Sequence, residues 1–144
     1  MQAVDFPYTH DFKIIFHHLD VLGHVNNVQY LRFLETARIE YMQMLFNFEA
    51  ADIAPFVIGD MYCRYIAPAF YHDVLTVGCG ISRFGTKSFD FVYAIDAQDG
   101  RRILTAKSTM VAFDKTTQRS IVVPDVIREG VAAFQGAWDA ATLI

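Results

Sequence analysis

Tyr30, Leu34, Ala37, Tyr41 and Leu45 recur at steps of three and four, the period of a helix with one buried stripe. Such a helix must press that stripe against a partner layer. The chain after it supplies one. Residues 56–67, 74–84, 87–97 and 101–114 have strand character, separated by Pro68, Gly85-Thr86 and Asp99-Gly100, the last a favoured hairpin dipeptide. An antiparallel meander is expected. In the third run Phe89, Phe91, Tyr93 and Ile95 alternate with Ser88, Asp90, Val92 and Ala94. In the fourth, Leu104, Ala106, Ser108, Met110 and Ala112 form a face of mostly small residues that lets a helix lie close. The expected class is α+β, one long helix against an antiparallel sheet of five or six strands. Residues 12–17 are a short apolar run suited to a strand, 47–55 read as a connection, and 126–134 suggest a short amphipathic helix ending near Gly136.

A chain of 144 residues fits one domain, 1–144. Hydrophobic residues make up 53% and 13 are Phe. That is more than a domain of this size readily hides, so a subunit interface is expected. No apolar run reaches the roughly 18–20 residues of a bilayer span, and Met1-Gln-Ala-Val-Asp-Phe-Pro7 lacks the basic and apolar regions of a signal peptide. A cytoplasmic protein without membrane attachment is expected. Cys63 and Cys79 form no Cys-x-x-Cys and lie in apolar strand patterns, which favours buried thiols over a disulfide or a metal site. A net charge of −4 argues against nucleic acid as a partner. Its distribution is uneven: four Lys or Arg against nine Asp or Glu in residues 1–80, eight against seven in 81–144. A phosphate-bearing small ligand would find its cations in the second half.

The chemistry gathers just ahead of the helix. Gly23 relaxes the backbone of a turn, and Asn26 and Asn27 are good N-cap residues. The helix therefore starts near Asn26 or Asn27 and runs to about Phe46. Its first turn offers free N–H groups and the positive end of the helix dipole to a developing oxyanion, with Asp20 just upstream. An Asp before a Gly turn is also ordinary turn chemistry.

Asp20-x-x-Gly-His-Val-Asn-Asn-x-x-Tyr-Leu-x-Phe-Leu-Glu-x-Ala-Arg38 resembles the signature of the hotdog-fold thioesterases, in the 4-hydroxybenzoyl-CoA thioesterase-like branch that includes bacterial long-chain acyl-CoA thioesterases. Downstream, Tyr62-Cys-Arg-Tyr-Ile-Ala-Pro-Ala69, Asp73-Val-Leu-Thr-Val77, Gly85-Thr-Lys-Ser88 and Arg102-x-Leu-x-Ala106 through Val111 are similar to the family's strand series. The resemblance covers about 10–124 as the core of the domain and leaves a tail of about 125–144. The resemblance implies a sheet wrapped around the helix, hydrolysis of an acyl-CoA thioester, and a homodimer or homotetramer with its site at the subunit interface. It also implies that Asp20 acts as general base or nucleophile and that the backbone N–H near Asn27 and Val28 faces the thioester carbonyl, with Asn27 the better placed.

Other residues carry two readings each. Glu35 is either a second site carboxylate or a solvated one paired with Arg32 or Arg38. His24 either donates to the substrate or tunes Asp20, or packs the loop. Tyr30 belongs to the core, where its hydroxyl needs a partner and can order the loop. Arg83 and Lys87, flanking the Gly85 turn, are first choices for CoA phosphates, against a solvated strand edge. His17 and His18 would point to opposite faces of a strand, and His10 and His72 have no ligand partner at useful spacing, so neither metal nor cofactor is expected. No Gly-x-Ser-x-Gly elbow occurs. The run Gly80 to Ser88 breaks P-loop spacing at Thr86, and Gly78-Cys-Gly80 lacks a third glycine. Two rival readings stay open: a thioesterase for acyl groups on acyl carrier protein, and a non-catalytic acyl-CoA or fatty-acid binding module.

Overall fold

A computed structural model of the chain describes residues 1–47 and 56–140. Most of the expected connection at 47–55 and the last four residues of the expected tail lie outside the described residues. The elements are β1 (Tyr8–Lys13), α1 (Asn27–Phe46), β2 (Phe56–Tyr65), β3 (Val74–Phe84), β4 (Ser88–Ala97), β5 (Arg102–Asp114), β6 (Arg119–Ser120) and α2 (Asp125–Gln135), with 3-10 turns at Ala3–Asp5 and Phe16–His18.

All pairings are antiparallel and the sheet order is β1-β3-β4-β5-β2, with the two-residue β6 against the end of β5. The sheet curls about α1, the hotdog arrangement expected. The helical stripe goes where its period places it: Tyr30, Phe33, Leu34, Ala37, Tyr41 and Met42 are buried, as are Leu104, Ala106, Ser108, Met110 and Ala112 of β5. Each fully buried large apolar side chain stabilises the fold by roughly 1.5–3 kcal/mol, so this layer holds the domain together. Asn26 caps the start of α1, and Asn47 ends it in the left-handed conformation at φ 48°.

Nearly all of β4 is buried on both faces, an outcome the alternation alone does not reveal. Ala3, Phe6 and Ala140, with Trp138 packed beside them, cover Val92 and Ala94 on the side away from α1. Gly78 and Gly80 make this possible. A Cβ at Gly80 would lie 2.7 Å from the Trp138 ring, and one at Gly78 2.3 Å from the Ala3 carbonyl. The two ends of the chain thus form a thin second layer.

Three expectations need correction. The first strand is Tyr8–Lys13 rather than 12–17, because Tyr8, His10 and Phe12 alternate with exposed Thr9, Asp11 and Lys13. Ile14 then drops into the core, its N–H donating to the Asp73 carbonyl at 2.8 Å. Consequently His17 and His18 share a 3-10 turn instead of opposite strand faces, and His18 Nδ1 accepts the Ile15 N–H at 3.1 Å. Burial lowers the His18 pKa, in keeping with a neutral ring. Cys79 is buried as expected, whereas Cys63 is only half-buried, because β2 is the edge of the sheet.

Candidate active site

Leu19 and Val25 form an isolated bridge, and the chain between them turns back on itself. Asp20 donates its N–H to the His24 carbonyl at 2.8 Å, and Gly23 donates to the Asp20 carbonyl at 3.1 Å. Gly23 sits at φ +79°, where side chains are strained. The Asp20 Oδ1 accepts the Leu22 N–H at 2.8 Å and the His24 N–H at 3.4 Å. The turn reading of Asp20 holds, since Oδ1 closes the turn, while Oδ2 has no hydrogen-bond partner among the described residues.

The helix begins two residues after this bridge. Asn26 donates its N–H to the His18 carbonyl at 2.9 Å and accepts the Val28 N–H on Oδ1 at 3.0 Å. The N–H of Val28, expected to face a substrate carbonyl, is thus taken by the cap. That of Asn27 has no acceptor among the described residues, and it stands at the positive end of a 20-residue helix. The Asn27 side chain stands near the hydroxyl of Tyr65, a phenol whose pKa desolvation raises against a lowering influence of Asn27.

Asp20, His24, Asn27 and Tyr30 line one side of a cleft of about 430 Å³, with Tyr65, Ile66, Ala67 and Pro68 on the other. Two bonds fix the sides to each other. Val25 donates to the Ala69 carbonyl at 3.0 Å, and the Ala69 N–H donates to the Tyr30 hydroxyl at 3.1 Å. Tyr30 is the buried, loop-ordering residue its position suggested, and burial raises its pKa. The His24 ring meets Phe70 edge to face, with centroids 5.4 Å apart.

Other expected site residues stand apart. Glu35 lies eight positions after Asn27, about 12 Å along the axis at ~1.5 Å per residue. Its side chain is exposed and 3.9 Å from Arg38. Arg83 and Lys87 flank the far end of β3 from the cleft, since the β1–β3 register sets Lys13 beside Val74. Arg83 is held by Asp90 at 2.8 and 3.2 Å. Lys87 is exposed and without a partner among the described residues.

Sequence reasoning passed over Tyr65 and Arg38. Tyr65 could have been found by counting in twos from Met61 through Cys63, which puts it on the helix-facing side of β2. Arg38 is buried beneath α1, where its Nη1 donates to the Tyr93 hydroxyl at 3.1 Å and that hydroxyl shares a 2.7 Å bond with Ser108. Burial pushes the Tyr93 hydroxyl up to about 12. No sequence signal marks an arginine on a helical stripe as buried.

Among the described residues no group of three or more His, Cys, Asp or Glu could hold a metal ion. What the cleft offers instead is an available carboxylate oxygen and an available helix N-terminal N–H. Comparison with known proteins gives this pair its setting. A profile of the Thioesterase-like superfamily matches residues 15–131. The chain belongs to that superfamily. It is 33% identical over 121 residues to the long-chain acyl-CoA thioesterase FadM of Escherichia coli, covering 81% of this chain and 91% of that one. A thioesterase from Thermus thermophilus, solved with coenzyme A and zinc, superposes with a TM-score of 0.85 at 28% identity, over 92% of this chain and 97% of that one. A predicted thioesterase from Bacillus stearothermophilus gives 0.82 at 25% identity over the same shares. The expectation of a thioester hydrolase stands at the level of the family.

Proposed function

We propose that this chain hydrolyses acyl-CoA thioesters to a free carboxylic acid and coenzyme A. One observation carries the reading: Asp20 Oδ2 and the Asn27 N–H, both without protein partners among the described residues, open on one cleft. The Asn27 N–H receives the thioester carbonyl oxygen, and its bond strengthens as negative charge develops there. One such donor is worth about 3–4 kcal/mol in other enzymes. Asp20 then takes a proton from attacking water, or itself attacks the carbonyl to form a mixed anhydride that water opens. Either route breaks the C–S bond and expels CoA: in the first, the proton held by Asp20 passes to the leaving sulfur; in the second, CoA leaves as the thiolate and takes a proton from water.

Tyr65, Ile66 and Pro68 give the acyl carbons next to the thioester an apolar wall. Around the mouth, Phe16, Val21, Leu22, Phe70 and Tyr71 are all exposed, a patch that supports assembly as a homodimer or homotetramer. Arg83 is held by Asp90 and takes no phosphate, while Lys87 lies too far from its own cleft, so any CoA phosphate it meets belongs to ligand bound by a neighbouring subunit. Glu35 is assigned a supporting place on the helix, outside the cleft. A cytoplasmic location suits the substrate, and no described helix is long and apolar enough to cross a membrane.

The test is thiol release from a panel of acyl-CoA thioesters by the wild type, Asp20→Ala and Asp20→Asn. Hydrolysis by the wild type alone supports the reading. No release above the Asp20→Ala background on any CoA thioester overturns it, and equal rates in all three remove Asp20 from the mechanism.

A further inference from the structure

The turn joining β4 to β5 reaches across to the cleft wall. Arg101, just past that turn, donates from Nη1 to the Pro68 carbonyl at 2.7 Å and from Nη2 to both Asp73 carboxylate oxygens at 3.3 and 3.1 Å. Its Nε donates to Asp99 at 3.1 Å, and its guanidinium lies 5.6 Å over the Phe70 ring. Every edge of the fork is thus engaged, the geometry an arginine provides and a lysine does not. Asp73 is buried and further tied: it accepts the Phe70 N–H at 2.8 Å and a Gln98 side-chain N–H at 3.1 Å. Pro68 lines the cleft, and its neighbour Ala69 exchanges bonds with Val25 and Tyr30 on the Asp20 side. The wall is therefore pinned from both flanks, and one of those pins is a single side chain.

We propose that Arg101 is a positioning residue for the cleft: by gripping the Pro68 carbonyl and the Asp73 carboxylate together, it fixes residues 66–69 against the turn that carries Asp20. The proposal rests on the thioesterase reading only for its kinetic consequence. A displacement of about 1 Å in a site wall costs up to about a hundredfold in rate. The arginines of the second half were natural candidates for CoA phosphates, but this one is spent on geometry.

The test pairs kinetics with site-resolved amide hydrogen exchange on wild type, Arg101→Gln and Arg101→Lys. In Arg101→Gln, kcat should fall about tenfold while KM moves less than about threefold. The Val25 and Ala69 amides should exchange about tenfold faster, with the Tyr93 amide unchanged at the centre of the sheet. Arg101→Lys should recover part of both effects, since it keeps the charge and one set of donors. An unchanged kcat, or a lowered kcat with Val25 and Ala69 as protected as in the wild type, overturns the proposal. So does loss of protection at Tyr93 to the same degree, which would mark general destabilisation. A wild-type protein that releases no thiol from any thioester fails the enzymatic reading and not the clamp. Exchange then decides, faster Val25 and Ala69 amides supporting the clamp and unchanged ones overturning it.

Discussion

The two ends of β3 treat their polar groups in opposite ways. At the Gly85 end the charges satisfy one another: Asp90 is buried among Arg83, Lys107 and Thr109, with contacts of 2.8 to 3.2 Å. Arg128 donates to the Gly85 and Thr86 carbonyls there. At the Val74 end, the turn and helix start leave one carboxylate oxygen and one N–H with no partner among the described residues. Buried or half-buried polar groups are normally paired because leaving them bare costs free energy. At the open end Asp20 is half-buried and Asn27 exposed, so water can meet both groups, and the proposed reading makes them the place where substrate displaces it. The paired end is architecture.

The largest effect expected from this contrast is at Asp20. Asp20→Asn keeps an oxygen for the Leu22 N–H, so the turn survives, while the proposed base or nucleophile is gone. The value of kcat/KM should fall by about a thousandfold, within the usual range for a lost general base, with the melting temperature within a few degrees of wild type. Asp20→Ala should lose as much activity and also some stability. Thiol release and thermal melts read both, and a stable, fully active Asp20→Asn would dissolve the contrast.

The paired end should answer with stability rather than rate. Asp90→Ala should cost about 1–3 kcal/mol in urea unfolding, moderated because Arg83 and Lys107 are exposed enough to be resolvated, and leave kcat unchanged. Burial works to raise the Asp90 pKa, but bonds from Arg83, Lys107 and Thr109 outweigh it and hold the carboxyl below the usual range. With the folded value depressed, its contribution is present above the unfolded value of about 3.9 and is lost as pH falls through the folded value. Unfolding followed between about pH 5 and 2 should therefore show a shallower acid limb in Asp90→Asn than in wild type.

Tyr65 tests the open end more finely. Tyr65→Phe removes only the hydroxyl that stands near the Asn27 side chain, and Asn27 itself lies one residue past the cap. A loss of about 1 kcal/mol, or roughly fivefold in kcat/KM, is the size of one neutral hydrogen bond. Stability should stay within about 0.5 kcal/mol. An equal loss in melting temperature and activity would return Tyr65 to the architecture.

Legibility in the sequence follows the same division. The α1 stripe, the β3 bounds at Val74 and Phe84, the Asp99-Gly100 hairpin and a cap at Asn26 or Asn27 come straight from periodicity and turn chemistry, which are local. Local pattern places an Asp and a Gly turn ahead of a helix start at Asn26 or Asn27, and the resemblance of residues 20–38 to the thioesterase signature singles out Asp20 and Asn27. Partnerships across the sheet could not be read this way. Nothing local says that Arg83 meets Asp90 instead of a phosphate, or that Arg101 grips Pro68. The first strand slipped because an apolar run does not distinguish a strand from a descent into the core, and exposed Asp11 and Lys13 carried the better signal.

The smallest effect expected separates the two cations of the paired end. Arg83 is committed to Asp90, so Arg83→Ala should cost stability and leave KM alone. The Lys87 ammonium is exposed with no partner among the described residues, so in the proposed oligomer its charge is available to phosphates of ligand held by a neighbouring subunit. Lys87→Ala should raise KM for acyl-CoA about threefold, leave kcat unchanged, and weaken the salt dependence of KM, since an exposed cation acts across a screened distance of roughly 8–10 Å. Truncated thioesters lacking the nucleotide should show no such difference. Should Arg83→Ala raise KM instead, the bond to Asp90 would have to open on binding, and the paired end would be part of the site after all.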